Sequence, residues 1–245
     1  AQRRLIRQER LAALGEMSAI VAHEIRNPMT AIRGFAQRIG RRLKGDPLGS
    51  RYAEIIISEV DRLDKVIKSV LDFGRKSALQ VQPVRIETVI ESALELLDEQ
   101  VRRRSINVER SIDPALPEAM LDRHQILQVL INLLQNAIDA TPDGKSIAVR
   151  AVHQDRSICV SITDAGSGVN PDLMEKIFEP FFTTKLHGTG LGLAMAQRIV
   201  EEHRGTIDVA NVPGGGAVFT VRLPVDGVPA EDTCPGTDGK QDRPL

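Results

Sequence analysis

The chain of 245 residues is poor in the residue types that several common functions need. It has no tryptophan and one tyrosine, and aromatic residues make up 3% of it, so it offers no stacking surface for single-stranded bases. Its 32 basic and 33 acidic residues give a formal net charge of -1, without the basic excess typical of DNA- and RNA-binding proteins. These absences argue against nucleic acid as a partner.

Cysteine and long apolar runs are also scarce. The two cysteines, Cys159 and Cys234, lack metal-ligand spacing, so we expect neither a metal site nor a structural disulfide, and a reducing cytosol is the simpler setting. No run of about 18 apolar residues is present, so we expect no membrane segment in this chain. The chain begins without methionine or signal peptide, which predicts a cytoplasmic piece of a longer protein, either soluble or part of a membrane-anchored sensor.

Helical periodicity dominates the first third of the chain. Apolar residues recur every three or four positions over residues 5–43 and 52–75, which predicts two amphipathic helices. Glycine and proline in residues 44–50 predict a turn, and therefore an antiparallel hairpin. One hairpin can bury only one apolar stripe, so we expect a homodimer in which two hairpins form a four-helix bundle. The stripe on the first helix comprises Leu11, Leu14, Met17, Val21, Ile25, Pro28, Ile32, Phe35, Ile39 and Leu43.

The rest of the chain mixes helical and strand patterns, which predicts an α+β layer with helices on one face of a sheet. Predicted helices cover residues 86–103, 122–140 and 191–202. Predicted strands cover residues 105–112, 147–152, 158–163, 206–210 and 217–223. Residues 169–187 show little apolar periodicity and are interpreted as a mobile lid. The predicted domains are a hairpin at 1–76, a linker at 77–84, an α+β domain at 85–225 and a disordered tail at 226–245.

The first candidate site is the segment His23-Glu24-Ile25-Arg26-Asn27-Pro28. On a helical wheel His23 points away from the apolar stripe, so we expect it to face water with Asn27 on the same face. A neutral imidazole is a good phosphoryl acceptor, and Glu24 could act as its general base. A lone histidine on a helix is more often structural, so this interpretation depends on the other motifs.

Asn132 and Asn136 lie one turn apart on a predicted helix that is otherwise strongly apolar. Their carboxamides share one face, and polar groups in apolar surroundings need partners. Phosphate oxygens and a hydrated magnesium ion would supply those partners. The alternative is a pair of polar side chains that simply face solvent.

Two glycine-rich segments could approach a nucleotide closely. Asp164 ends a predicted strand just before Gly166 and Gly168, where its carboxylate could accept from the exocyclic amine of adenine. An ordinary β-turn is the alternative there. The segment Gly188-Thr189-Gly190-Leu191-Gly192 precedes a predicted helix, where free backbone amides can bind phosphate, although a plain glycine-rich loop would read the same.

Taken in this order, the motifs resemble the catalytic part of bacterial two-component sensor histidine kinases over about residues 5–225. The similar segments are His-Glu-Ile-Arg-Asn-Pro, Asn-Leu-Leu-Gln-Asn-Ala-Ile-Asp-Ala, Asp-Ala-Gly-Ser-Gly-Val, Phe-Glu-Pro-Phe-Phe-Thr-Thr-Lys and Gly-Thr-Gly-Leu-Gly-Leu. Ala165 and Ser167 depart from the commoner residues of the first glycine box. The surrounding sequence is similar to the nitrogen-regulation and zinc-responsive subgroup, whose members often serve enhancer-binding transcriptional activators.

The resemblance implies a multidomain α and α+β fold. A dimeric four-helix bundle would precede an α/β-sandwich ATP-binding domain of the histidine kinase, topoisomerase and chaperone type. It implies an ATP:protein-histidine phosphotransferase that uses ATP and Mg²⁺. The phosphoryl group would then pass to an aspartate on the receiver domain of a response regulator, which the enzyme would also dephosphorylate.

The resemblance also implies a role for each candidate residue. His23 is the phosphorylated residue, Glu24 its general base, and Asn27 the residue that positions water for dephosphorylation. Asn136 is the implied magnesium ligand and Asn132 a phosphate or nucleotide contact. Asp164 is implied to bind the adenine amine in a pocket shaped by Gly166 and Gly168. Gly188, Gly190 and Gly192 are implied to line the phosphates. Thr184 and Lys185 could reach the terminal phosphate, and Thr189 and Leu191 are further candidates for nucleotide binding.

Two alternatives stay open at this point. The chain could be an ATP-binding signalling module without catalysis, in which the helices only relay motion. It could instead be an ATPase of the topoisomerase, mismatch-repair or chaperone kind, although those proteins need further transducer domains and lack a hairpin with this histidine box. Acid-labile phosphate on the protein after incubation with ATP separates both alternatives from a histidine kinase.

Overall fold

The structure is a computed structural model that describes residues 25, 27–43, 45–74, 78–185 and 188–226. Residues 1–24, which include His23 and Glu24, lie outside the described residues. The chain divides into two compact units. The first contains the helical hairpin and the segment Glu179–Gly192, and the second contains Leu79–Phe178 and the chain from Leu193 onward.

Two helices form the hairpin of the first unit: α1, residues 27–42, and α2, Pro47–Gly74. Arg33 on α1 pairs with Asp61 on α2 at 3.1 Å. Farther along α1, a Cβ built on Gly40 would lie 3.2 Å from the Cβ of Ala53, so the helices approach closely there. Later residues of α1 therefore meet earlier residues of α2, and the hairpin is antiparallel, as predicted.

The turn between the two helices is shorter than the sequence pattern indicates. Residues 44–50 were expected to form it, but α2 begins at Pro47. Asp46 Oδ1 accepts a hydrogen bond from the backbone N–H of Leu48 at 3.0 Å, and proline is well tolerated in the first turn of a helix. Asp46-Pro47 is therefore a helix start, so the turn ends before Pro47 and the second helix begins five residues earlier than predicted.

The second unit is built on a five-stranded sheet in the order β2-β4-β5-β7-β6. Strands β2 and β4 are parallel, and the other neighbours are antiparallel. A separate two-stranded sheet pairs β1 with β3. The strands are β1 (Gln82–Val84), β2 (Asn107–Ile112), β3 (Ala119–Leu121), β4 (Ser146–Gln154), β5 (Ser157–Thr163), β6 (Thr206–Asn211) and β7 (Ala217–Pro224).

Three α-helices accompany this sheet: α3 (Ile86–Arg103), α4 (Arg123–Ala140) and α5 (Gly192–Glu202). Alternate residues of β7, among them Phe219, Val221 and Leu223, are buried, so one face of the sheet lies against the core. Burying each such side chain stabilises the fold by about 1.5–3 kcal/mol. The predicted α+β layer is confirmed. None of the described helices is both long and apolar enough to cross a membrane.

Strands β1 and β3 were not predicted. Each has three residues, and Gln82 pairs with Leu121 while Val84 pairs with Ala119. Three residues are too few for the alternation that identifies a strand in sequence. The structure therefore places the end of the expected linker, residues 77–84, in a strand of the second unit.

Candidate functional site

Asp164 follows directly after β5 and is buried, with 6% of its surface exposed. Its Oδ1 accepts hydrogen bonds from the backbone N–H groups of Gly166 at 2.9 Å and Ala217 at 3.2 Å. Its Oδ2 accepts no hydrogen bond from the described residues. One carboxylate oxygen thus fixes the side chain, and the other is available to a ligand that donates a hydrogen bond.

Glycines surround Asp164 because neighbouring backbone leaves no room for a side chain. A Cβ on Gly166 would lie 2.7 Å from the carbonyl oxygen of Ala140, the last residue of α4. A Cβ on Gly216, where φ is +94°, would overlap the carbonyl oxygen of Asp164. The segment after β5 is therefore packed between the end of α4 and the β6–β7 turn.

The helix α4 is fixed at both of its ends. At the N-terminus, Asp122 Oδ1 accepts from the backbone N–H groups of His124 at 3.0 Å and Gln125 at 3.1 Å. At the C-terminus, the guanidinium of Arg104 donates to the carbonyl oxygens of Ile138 and Thr141. Carbonyls that lack partners in the last turn are satisfied in this way, and the residues on α4 keep a defined orientation.

Asn132 and Asn136 are both half-buried on α4, one turn apart as predicted. Asn132 Oδ1 accepts a hydrogen bond from Gln128 Nε2 at 3.2 Å, and Gln135 bonds to Asp139 on the same polar side of the helix. The apolar residues of α4 face the core instead. The two asparagines therefore belong to a polar face, in contrast to the expected apolar surroundings.

The second glycine-rich segment lies in the first unit. Gly190 has φ of +67°, and its carbonyl oxygen accepts from the N–H of Phe181 at 2.9 Å. A Cβ there would overlap the backbone of Phe181, so glycine is required. The N–H of Gly188 donates to the carbonyl of Lys185 at 3.2 Å, and the N–H of Leu191 donates to Thr189 Oγ1 at 3.3 Å.

The side chains of Thr184 and Lys185, expected to reach a terminal phosphate, are exposed in the same segment. The backbone N–H of Lys185 donates to Thr183 Oγ1 at 3.1 Å, which forms a tight turn. Helix α5 begins at Gly192, one residue after the predicted start.

Comparison with known proteins adds an independent line of evidence. Residues 121–227 match a family described as histidine kinase-, DNA gyrase B-, and HSP90-like ATPase, and residues 13–79 match the His Kinase A (phospho-acceptor) domain. The catalytic domain of the histidine kinase ThkA is 35% identical, with a TM-score of 0.57, over 60% of this chain and 97% of that domain. The chain belongs to the two-component sensor histidine kinases.

Longer histidine kinases are also similar. The signal transduction histidine-protein kinase AtoS of Escherichia coli K12 is 42% identical over 92% of this chain and 37% of its own length. The sensor histidine kinase ZraS of Escherichia coli O157:H7 is 40% identical over 90% of this chain and 48% of its length. The chain therefore spans less than half the length of these relatives.

Complexes of related histidine kinases have also been solved. ThkA in complex with the response regulator protein TrrA has a TM-score of 0.69 and 36% identity, over 90% of this chain and 64% of that one. Full-length ShkA in complex with AMPPNP has a TM-score of 0.73 and 28% identity, over 88% of this chain and 47% of that one.

The structure groups some candidate residues and leaves others apart. It brings the segment with Asp164 and Gly166 against Ala140, the last residue of α4. Asn132 and Asn136 lie on the same helix, two turns and one turn before that end, respectively. The predicted phosphate contacts among residues 184–192 belong to the first unit, whereas Asp164 and Gly166 belong to the second. Of the histidine box, Asn27 is exposed on α1, and His23 and Glu24 lie outside the described residues.

Sequence reasoning missed several residues around Asp164. Gly216 and Ala217 contact it from the β6–β7 turn, and Thr141 Oγ1 accepts from the N–H of Ala165 at 3.4 Å. The run of glycines at 214–216 was an available signal, since all three have positive φ. Asn211, which contacts the same loop, gave no signal in the sequence.

Proposed function

We propose that this chain phosphorylates its own His23 with ATP and passes the phosphoryl group to an aspartate of a response-regulator receiver domain. The observation that carries the proposal is Asp164, a buried carboxylate with one oxygen held by two backbone amides and the other available. This arrangement suits the exocyclic amine of adenine, because a fixed acceptor discriminates strongly between ligands with and without the matching donor. The match of residues 13–79 to the phospho-acceptor domain supports the acceptor half of the reaction.

The proposed nucleotide pocket follows from the backbone around Asp164. Its Oδ2 accepts from the adenine amine. Glycine at positions 166 and 168 lets the loop pack closely against the end of α4 and against Asn211, which fixes the backbone beside Asp164. Residues 184–192 are proposed to hold the phosphates. The amides of Gly188 and Leu191 are bonded within the segment, so they reach phosphate only after those turns open.

The magnesium part of the proposal rests on the donor set of α4. No group of three or more His, Cys, Asp or Glu in the described part of the chain is placed to hold a metal ion. Mg²⁺ usually binds through one or two protein oxygens, several waters and substrate phosphates, which fits a half-buried carboxamide on a polar helix face. Asn136 is the proposed ligand and Asn132 the proposed phosphate contact. When bound, the ion would neutralise charge on the phosphoryl group in transfer.

The proposed reaction assigns the protein groups separate tasks. Glu24 takes or orients the imidazole proton, so that a nitrogen lone pair of His23 faces the γ-phosphate. Nucleotide and histidine belong to residues 85–225 and 1–76, the proposed ATP-binding and hairpin domains, so the proposed linker at 77–84 must allow them to meet. Residues 226–245 are proposed as a tail outside this machinery.

The proposed partners are a receiver domain and a second copy of the chain. The solved complex of ThkA with the response regulator protein TrrA supports a receiver domain, and an enhancer-binding activator is the finer proposal. The match to the phospho-acceptor domain supports a homodimer, together with the exposed apolar residues Ile32, Phe35 and Ile39 on α1. We place the chain in the cytoplasm, as a soluble protein or as the cytoplasmic part of a membrane sensor.

The proposal is tested by incubating the chain with γ-labelled ATP and Mg²⁺ and treating the product with acid and with alkali. We expect acid-labile, alkali-stable label on the wild type and none on His23→Gln. His153→Gln, which changes an exposed histidine on β4, is the matched control and should keep the label. Bound ATP without label would favour a signalling module, and hydrolysis without phosphohistidine would favour an ATPase of another kind.

Dephosphorylation of the partner is tested separately with Asn27→Ala. The variant should label itself like the wild type but lose the ability to dephosphorylate a purified receiver domain that the wild type has phosphorylated. The reason is that a carboxamide on the exposed face of α1 can orient water without touching ATP. Unchanged loss of phosphate from the receiver domain would contradict this role.

A further inference from the structure

An asparagine outside every recognised motif holds the loop that follows Asp164. Asn211, the last residue of β6, uses its side chain to bond both backbone groups of Val169, 42 positions away. Its Oδ1 accepts from the N–H of Val169 at 2.7 Å, and its Nδ2 donates to the carbonyl of Val169 at 2.8 Å. The carboxamide therefore bonds both the N–H and the carbonyl of Val169, as a neighbouring strand would do.

The same asparagine closes the space beside Gly168. This glycine has φ of +77°, and a Cβ there would lie 2.7 Å from Asn211 Oδ1 and 3.2 Å from the carbonyl oxygen of Gly216. Two atoms from neighbouring segments thus restrict the space beside Gly168.

The segment from Asp164 to Val169 is bonded at one end to β7 and at the other end to β6. Asp164 bonds to the N–H of Ala217, and Val169 bonds to Asn211. Asn211 and Ala217 are partners in the β6–β7 register. The segment from Asp164 to Val169 is therefore held at both ends by the first residue pair of this hairpin.

We propose that Asn211 is a positioning residue of the nucleotide site. Asn211 holds Val169 and thereby fixes the backbone of Gly166 and Gly168. This backbone position in turn sets how close the loop lies to the adenine base that is proposed to bind Asp164. The inference rests on the proposed function, since it needs a nucleotide in this pocket. Asn211 is exposed and contributes little to the core, so its effect falls on nucleotide affinity and spares global stability.

The test compares Asn211→Ala and Asn211→Asp with the wild type in the full 245-residue chain. Isothermal titration with AMPPNP and Mg²⁺ should show affinity about tenfold lower for both variants, because each loses hydrogen bonds that order the loop. Aspartate has the same shape and keeps the acceptor for Val169 N–H, but it repels the Val169 carbonyl and should not rescue binding. Asn107→Ala, an exposed asparagine on the edge strand β2 at the far side of the sheet, should bind normally.

Two further readouts separate positioning from general loss of structure. Hydrogen exchange of the peptide that contains Val169 should become faster in Asn211→Ala, with the thermal unfolding midpoint unchanged. In the labelling assay the KM for ATP should rise about tenfold while kcat stays within about twofold, because only binding geometry is altered. A fall in the unfolding midpoint that accompanies the loss of affinity would reduce Asn211 to a structural residue and overturn the proposal.

A pair of variants tests the contact between Asn211 and Gly168 directly. Gly168→Ala should weaken AMPPNP binding, and its effect should be smaller in the Asn211→Ala background, where the obstructing Oδ1 is gone. Additive effects would contradict the contact. If the wild type binds AMPPNP and Asn211→Ala binds equally well, the positioning role alone is wrong; if the wild type binds none, the proposed function is wrong as well.

Discussion

At the scale of single residues, Asp164 combines two tasks in one carboxylate. Oδ1 accepts two backbone hydrogen bonds that hold the side chain, and Oδ2 has no partner among the described residues. An oxygen held in this way needs no rearrangement when a ligand arrives, which favours specific binding.

This division predicts the behaviour of Asp164→Asn. The amide oxygen can still accept from Gly166 and Ala217, but the amide nitrogen then presents a donor to the adenine amine. Affinity for ATP should fall at least about tenfold, with an unfolding midpoint close to that of the wild type. Titration with AMPPNP measures the loss, and Asp172→Asn, an exposed aspartate on the following 3₁₀ turn, serves as control. Equal affinity of Asp164→Asn and the wild type would show that Asp164 does not bind the nucleotide.

Candidate residues that lie close together in the chain could be grouped from the sequence. Asp164, Gly166 and Gly168 are neighbours in the chain, so turn chemistry alone places them together. Asn211 acts on a partner 42 positions away, and a single exposed asparagine at the end of a strand has many ordinary explanations. Its role depends on the β6–β7 register, which the sequence pattern does not specify.

At the scale of secondary-structure elements, the start of α4 joins three segments through one aspartate. Besides capping α4 with Oδ1, Asp122 accepts from the N–H of Gln80 through Oδ2 at 3.0 Å. Its own N–H donates to His203 Nε2 at 3.0 Å, and His203 Nδ1 lies 2.8 Å from the carbonyl oxygen of Ile199 on α5. Nδ1 is therefore the protonated nitrogen of this buried ring.

Removal of this aspartate should destabilise the second unit. Asp122→Ala loses the N-cap of α4 and leaves the N–H of Gln80 without its partner, which predicts a loss of about 1–2 kcal/mol in the free energy of unfolding. Denaturant titration measures it. Asp113→Ala, which removes a side chain that accepts a hydrogen bond from the N–H of Ala115 in the same loop, should change stability by less than about 0.5 kcal/mol. A smaller loss for Asp122→Ala than for its control would contradict the joining role.

Elements were predictable where their pattern was long. Residues 86–103 were predicted as a helix and form α3 with the same ends, because eighteen residues repeat the apolar period clearly. The three-residue strands β1 and β3 are held together by tertiary pairing, which a local pattern does not reveal. Asp46-Pro47 was taken for a turn because proline both breaks and starts helices.

At the scale of the whole molecule, the hairpin exposes a second apolar stripe. Met29 and Ala36 of α1 are buried, whereas Ile32, Phe35 and Ile39 are 48%, 61% and 49% exposed. These three residues follow the heptad spacing of helices that pair with other helices. Within the described residues of α1, the predicted stripe is thus an exposed face that one hairpin leaves uncovered.

A charge placed in this stripe should separate the proposed dimer. Phe35→Glu buries a carboxylate against the partner hairpin, so sedimentation velocity should show monomers at concentrations where the wild type is dimeric. Gln37→Glu adds the same charge at an exposed position outside the stripe and should leave the dimer intact. A Phe35→Glu variant that sediments as a dimer would place the interface elsewhere.

The register of β5 against β7 has a consequence for how the chain can change in length. Thr163 pairs with Val218, so their pairing closes a loop that contains α5, β6 and two short 3₁₀ helices, Pro171–Leu173 and Lys176–Phe178. Loop-closure entropy grows slowly, and doubling such a loop costs only about 0.6 kcal/mol. Descendants of this gene could therefore gain or lose residues between Val169 and Phe181, outside the tightly packed segments around Asp164 and Gly190, at little cost to folding. A single residue inserted within β7 would instead turn Phe219, Val221 and Leu223 outward, so insertions and deletions should be confined to the loop.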